Sequence, residues 1–163
     1  MALDIVPLEP IERGYLHVMR LRAAVWTLTW VAIGVVVEWV GHGLFHYDFG
    51  LPWGVLPGLM LAWGLWRWVS AGRQWRRWGY AFTGRELHVA HGWLVRVHTI
   101  VPVLRVQHID VVQTLFERIF GVVNLVLHTA GTENSVVVLS GVTRETAEEI
   151  RDAIRAQIGG EAE

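Results

Sequence analysis

One carboxylate lies inside an otherwise apolar run. Glu38 interrupts Ala23 to Phe45 (AAVWTLTWVAIGVVVEWVGHGLF), about 22 Å along it at helical rise. An ionisable group at such a depth is by default a site hypothesis, because an apolar medium tolerates a charge only where a partner or a task holds it. A proton or ion path would need further ionisable groups. The next run, Leu51 to Val69 (LPWGVLPGLMLAWGLWRWV), offers only Arg67 near its end. The expectation is therefore that Glu38 snorkels outward or pairs with His42, one turn later. His42, His46 and Asp48 carry metal-donor atoms, but a lone pair of histidines four apart is a sparse ligand set.

Further side chains with chemical potential lie downstream. His88, His91, His98, His108 and His128 would suit a metal enzyme. Neither a His-Glu-x-x-His helix nor a Cys/His cluster accompanies them, and the chain has 0 cysteines. A Gly-x-Ser-x-Gly nucleophile turn is also missing. No enzyme, cofactor or metal centre is expected. Arg105, Asp110, Glu117 and Arg118 read as an ion-pair network fixing a short helix onto the strands; the alternative is that Arg105, Gln107, His108, Asp110, Glu117 and Arg118 form a polar surface read by a protein partner. Arg73, Trp75, Arg76, Arg77 and Trp78 form a cationic, aromatic rim suited to anionic lipid headgroups, which attract each arginine by about 1 kcal/mol.

Both apolar runs are long enough to cross a hydrocarbon core of roughly 30 Å as helices. The connection His42 to Gly50 is short, so the pair reads as an antiparallel transmembrane hairpin of 23–45 and 51–69. A buried helix pair in a soluble protein is the bland competitor. A secretory signal would end at a small-residue cleavage site, where this chain has Glu38 and Trp39. Trp26, Trp30, Trp39, Trp53, Trp63, Trp66, Trp68, Trp75 and Trp78 gather near the ends of the runs, as an interfacial aromatic belt does. Arg13, Arg20 and Arg22 flank the first run and Arg67, Arg73, Arg76 and Arg77 the end of the second, while the loop between has no Lys or Arg. The positive-inside rule then puts both termini in the cytoplasm.

Before the hairpin, residues 1–22 read as a cytoplasmic arm: Met1–Tyr15, with two prolines and mixed charge, is irregular or partly ordered, and Leu16–Arg22 suits a helix start at the membrane surface. After the basic linker 70–77 the hydrophobic period changes to two. Trp78–Thr83, Leu87–Ala90, Trp93–Val101, Arg105–Gln113, Val122–Thr129 and Ser135–Leu139 read as antiparallel strands broken by glycine-bearing turns. In Arg105–Gln113 the alternation puts Val106, His108, Asp110 and Val112 on one face. Leu115–Phe120 allows one or two helical turns closed by Gly121. Ala130–Asn134 is a hairpin loop. Thr143 is the N-cap of a last helix whose apolar stripe is Ala147, Ile150, Ala153 or Ile154, and Ile158, ending at Gly159-Gly160. The fold class is α+β: a two-helix hairpin, then a small antiparallel barrel or sandwich over 78–158 capped by one helix, then a tail at 159–163.

A length of 163 residues leaves room for the hairpin and one such domain. A net charge of −1, with the 14 basic residues spread along the chain, implies no nucleic-acid partner.

The motifs Trp78-Gly-Tyr80, Gly92-Trp-Leu-Val-Arg96, Val101-Pro102-Val-Leu-Arg105-Val-Gln107-His108-Ile-Asp110-Val, Leu115-Phe-Glu117-Arg118-Ile-Phe-Gly121 and His128-Thr129-Ala130-Gly131 occur in the order that resembles the bacterial pleckstrin-homology (PH) family of the YdbS/YdbT type. The resemblance covers Arg76 to Ile158. It implies two antiparallel sheets closed by a C-terminal helix, a bacterial inner-membrane location and assembly with other PH-containing membrane proteins more than catalysis. Eukaryotic PH domains that bind phosphoinositides use a basic first loop; here that loop, Thr83-Gly84-Arg85-Glu86, has a single arginine beside a glutamate. The expected function is a scaffold or subunit that binds a protein partner at the inner membrane face, with self-association open; the alternative is recognition of anionic lipid headgroups.

Overall fold

The computed structural model describes residues 6–43, 52–93, 95–130 and 136–160. His46, Asp48, most of the 42–50 connection and most of the Ala130–Asn134 loop lie outside them. The chain divides into two compact units: Met1–Val18 with Arg73–Glu163, and Met19–Gly72.

The first unit holds two antiparallel sheets. β1 (Glu9–Pro10), β2 (Gly79–Phe82), β3 (Glu86–His91) and β4 (Val97–Pro102) form one, in that order. A 3-10 turn at Val103–Arg105 leads into the other, ordered β5 (Val106–Val112), β6 (Val123–Thr129) and β7 (Val136–Val142). The expected alternation is clearest in β6, where Val123, Leu125 and Leu127 are fully buried and the residues between them are not. Among the described residues the strands form two sheets, of four and three, that share one core.

Ala147, Ile150 and Ile154 press into this core from the last helix, meeting Leu87, Val89 and Val101 of one sheet and Leu125, Leu127 and Leu139 of the other. Each such aliphatic side chain contributes about 1.5–3 kcal/mol on full burial. Thr143 caps the helix as expected, its Oγ1 accepting the Thr146 N–H at 3.1 Å. Ile158 is 40% exposed, so the stripe leaves the core before the helix ends.

Two expectations are corrected in this unit. The N-terminal segment is no loose arm: β1 pairs with β2, and Ile11, Tyr15 and Val18 are buried. Their spacing is that of one helical face, and the first helix, α1, begins at Arg13, well before the apolar run. In β5 the faces are not as simple alternation gives them. The register shifts between Val106 and His108, so Gln107 is the extra residue of a bulge. Val106 thereby joins Ile109 and Val111 on the core side, and His108 and Asp110 face away.

The second unit is a helical pair, from α1 (Arg13–Gly43) and α2 (Val55–Trp75). Among the described residues one helix, α1, is long and apolar enough to cross a bilayer, and 11% of its most apolar window is buried. In α2, Pro57, Gly58 and Arg67 dilute the apolar character. The two run antiparallel: Thr27 packs against Gly64, Gly34 lies close to Met60 and Pro57, and Glu38 reaches Gly54 and Leu56. Small residues permit this approach, since a Cβ at Gly64 would overlap the Thr27 side chain. Nearer the start of the pair, the Arg20 guanidinium lies 4.5 Å from the Trp68 ring centroid.

The two short helices of the first unit are α3 (Leu115–Ile119) and the capped α4 (Arg144–Gly160).

Candidate functional site

Glu38 is 4% exposed, and it neither snorkels nor gives its carboxylate to His42. Oε2 accepts the Gly54 N–H at 2.7 Å and Oε1 the Leu56 N–H at 3.0 Å. Those donors are Gly54, immediately before α2, and Leu56 in its first turn, where N–H groups lack intrahelical partners and the helix end carries a positive partial charge. His42 instead places its Nδ1 3.1 Å from the Glu38 carbonyl oxygen and its ring 5.1 Å from Trp53. Glu38 is thus a cap supplied by one helix to the other.

The polar set expected at one surface is divided by the fold. Glu117 is removed from it: the residue is 0% exposed and its carboxylate points inward. The Thr114 hydroxyl donates to Oε2, and Asn124 Nδ2 donates to Oε1 at 3.2 Å. Asn124 Oδ1 in turn accepts the Gly141 N–H at 3.3 Å. Gly141 is the extra residue where the β6–β7 register shifts between Val123 and Asn124, and its φ of +74° is the left-handed conformation such a bulge uses. Its carbonyl accepts the Glu12 N–H at 2.8 Å. The freed backbone groups of the bulge therefore tie α3, β6 and the N-terminal segment together. Thr114, Asn124 and Gly141 escaped sequence reasoning; a glycine in a run that otherwise reads as strand was the available signal.

The remaining members stay outward. Arg105, Gln107, His108 and Arg118 are exposed and Asp110 half-buried. Asp110 pairs with two histidines in place of the expected arginines. Its Oδ1 lies 2.8 Å from His108 Nε2 and its Oδ2 3.4 Å from His128 Nε2. His108 and His128 are cross-strand partners, with rings 5.7 Å apart. At the free edge of β5, Val106, Gln107, His108 and Ile109 line a cavity of about 350 Å³ with Arg155 and Ile158 of α4. That groove was not foreseen, because it joins a bulged strand to the last turns of a helix far along the chain.

The other histidines are dispersed. His88, 6% exposed, sets Nδ1 3.3 Å from His98 Nε2, and His91 lies edge-on to Trp78 at 5.7 Å. Among the described residues no group of three or more His, Cys, Asp or Glu is placed to hold a metal ion.

The basic, aromatic rim is partly spent on the domain itself. Trp75 Nε1 donates to the Glu12 carbonyl at 3.0 Å, Trp78 stacks on Tyr15 at 5.4 Å, and Arg77 donates to the Trp93 carbonyl at 2.6 Å. Close by, the Tyr80 hydroxyl is pushed up to about 12 from 10.0, first by burial and then by its hydrogen bond to the Glu9 carboxylate and the nearby charges of Glu9 and Glu12, while Thr146 pulls the other way.

Two antiparallel sheets closed by a C-terminal helix define a PH-like domain. A family profile described as Bacterial PH domain matches residues 23–158, and the chain belongs to that family. No curated protein and no solved structure matches the chain. The match begins at Ala23, so β1 and the buried Ile11, Tyr15 and Val18 complete the domain from outside the matched span.

Proposed function

We propose that this chain is a membrane-anchored, non-catalytic scaffold that holds a PH-like domain at the inner face of a bacterial membrane and binds a protein partner there. The observation that carries the anchoring is the exposure of α1: Trp26, Leu28, Val36 and Trp39 are each more than half exposed along a helix that is only 11% buried in its most apolar window. A soluble fold rarely leaves so continuous an apolar surface uncovered, whereas lipid covers it at no cost. Leu59, Trp63 and Leu65 continue this surface on α2, which at 21 residues rises about 31 Å and is read as the second span. The Glu38 cap supports that reading, since α2 could not begin in an apolar medium with its first donors unmet. The arginines at both outer ends of the hairpin support a cytoplasmic side for the domain in this reading.

The partner surface is Arg105, Gln107, His108 and Asp110 with the β5–α4 groove beside it; a second PH module, in another protein or another copy, is the kind of partner the family resemblance implies. The alternative, headgroup recognition by Arg73–Trp78, is less favoured because Trp75, Arg77 and Trp78 already bond within the domain.

Two measurements test the proposal together. The full-length protein should resist alkaline extraction from its native membranes, and a photocrosslinker at Gln107 should give one discrete protein adduct that Arg105→Glu abolishes with no change in melting temperature. Alkaline release would overturn the anchoring, and crosslinking to lipid alone would replace the scaffold with the headgroup reading.

A further inference from the structure

We propose that α3 is a membrane foot, which sets Leu115 and Ile119 into the interfacial layer of the bilayer and Arg118 against anionic headgroups. The inference rests on the membrane reading above and adds a lipid contact made by the PH-like domain itself.

Leu115 is 69% exposed and Ile119 60% exposed, among the most exposed large apolar side chains of their unit. Four residues apart, they share one face of the helix, and Arg118 is exposed next to them. Nothing about α3 is loose enough to explain this as a displaced core element. Its inner side is held by the buried Glu117, and its end by Gly121, at φ +67°, with the Val122 N–H donating to the Glu117 carbonyl at 3.0 Å. The two apolar side chains are therefore presented rigidly to the outside.

The place of α3 in the unit names the occupant. The Phe120 ring stacks on His17 at 5.5 Å, and a Cβ on Gly14 would lie 2.6 Å from the Phe120 carbonyl oxygen. Gly14 and His17 belong to the first turns of α1, only a few residues before its apolar run begins at Ala23. Trp75, the last residue of α2, bonds to Glu12 in that same segment. The passage of the chain into α1 thus leaves the unit beside α3, and Trp75 returns to the same N-terminal segment. Apolar side chains flanked by an arginine, whose stem is apolar and whose head seeks phosphate, have the composition of an interfacial anchor. The short helix needs no affinity of its own, because the hairpin already holds it at the surface.

The chain has 0 cysteines, so single-cysteine labelling is clean. Leu115→Cys and Ile119→Cys would be labelled with the environment-sensitive NBD fluorophore in full-length protein, in vesicles of phosphatidylcholine and phosphatidylglycerol. Leu28→Cys and Leu65→Cys serve as hairpin references and Val136→Cys as the solvent reference. The expected result is blue-shifted emission at 115 and 119 relative to 136, with quenching by spin-labelled acyl chains. Water-like emission at 115 and 119, while 28 and 65 report lipid, overturns the foot and leaves the anchoring intact. Blue-shifted emission without lipid quenching means that protein covers α3, and also overturns it. Water-like emission at 28 and 65 defeats the membrane reading itself.

Discussion

Glu38 on α1 accepts the Gly54 N–H at 2.7 Å, 16 residues later in sequence, so one helix of the hairpin supplies the cap for the other. The same carboxylate takes the Leu56 N–H at 3.0 Å, and its negative charge faces the positive end of the α2 dipole. Glu38→Ala leaves both donors without an acceptor in an apolar setting and should destabilise the hairpin by about 1–3 kcal/mol. Glu38→Gln keeps one acceptor oxygen without the charge and should fall between. Helical unfolding in detergent micelles, followed by circular dichroism, measures the order; equal stability of the three proteins would show that the cap carries no weight.

Glu117 and Arg118 are neighbours in sequence with opposite surroundings, buried and exposed. Removing the Glu117 carboxylate strands the Thr114 hydroxyl and the Asn124 amide that donate to it. Glu117→Ala should cost about 2–4 kcal/mol, read as a clear drop in melting temperature. Arg118→Ala should stay within about 0.5 kcal/mol of the parent. A comparable loss from both substitutions would mean that the surface arginine also belongs to the structural network.

This contrast shows what the sequence can carry. The Thr143 cap and the buried part of the α4 stripe were legible because local chemistry decides them within one helical turn. The alternation of β6 was equally plain, since its core face is continuous. Glu117 was not legible: in LFERIF a charged residue beside an arginine reads as surface, and only the fold brings Asn124 to meet it. Glu38 failed in the same way, its true partner lying beyond the return between the helices. The bulge at Gln107 moved Val106 to the face of Ile109 and Val111, because one extra residue exchanges the two faces of a strand from that point. Apart from the N-terminal segment, whose strand and early helix start were read as an irregular arm, it was long-range partners and register shifts that escaped the reading.

Tyr80 adds a pH dependence on the alkaline side. Its hydroxyl, partly buried and bonded to Glu9, is held at about 12, against 10.0 without these surroundings. The unfolded chain therefore releases this proton first as pH rises. The stability associated with the neutral hydroxyl is fully present below pH 10 and lost as the pH climbs toward 12. Melting temperatures across that window should fall less steeply for Tyr80→Phe than for the parent. Parallel slopes would show that Tyr80 does not titrate with unfolding.

Gly141 is where the N-terminal segment meets the sheet, and its substitution tests whether that segment belongs to the domain. Its φ of +74° is costly for any residue with a side chain, and a Cβ there would lie 2.5 Å from Tyr15 Cβ. Gly141→Ala therefore combines backbone strain with displacement of a Tyr15 ring stacked on Trp78, and should destabilise the domain by about 2–4 kcal/mol. Tyr15→Ala removes the ring, whose Cγ a Cβ at 141 would meet at 2.6 Å, but keeps the Cβ at 2.5 Å, and it loses a buried aromatic at a cost of about 3–5 kcal/mol. In the double variant the ring part of the Gly141 steric penalty is relieved while the Cβ contact remains, so the combined loss should be somewhat smaller than the sum of the single losses, the coupling expected of residues in contact. Strict additivity would mean that Tyr15 does not pack on the bulge and that the segment before Ala23 is dispensable to the fold.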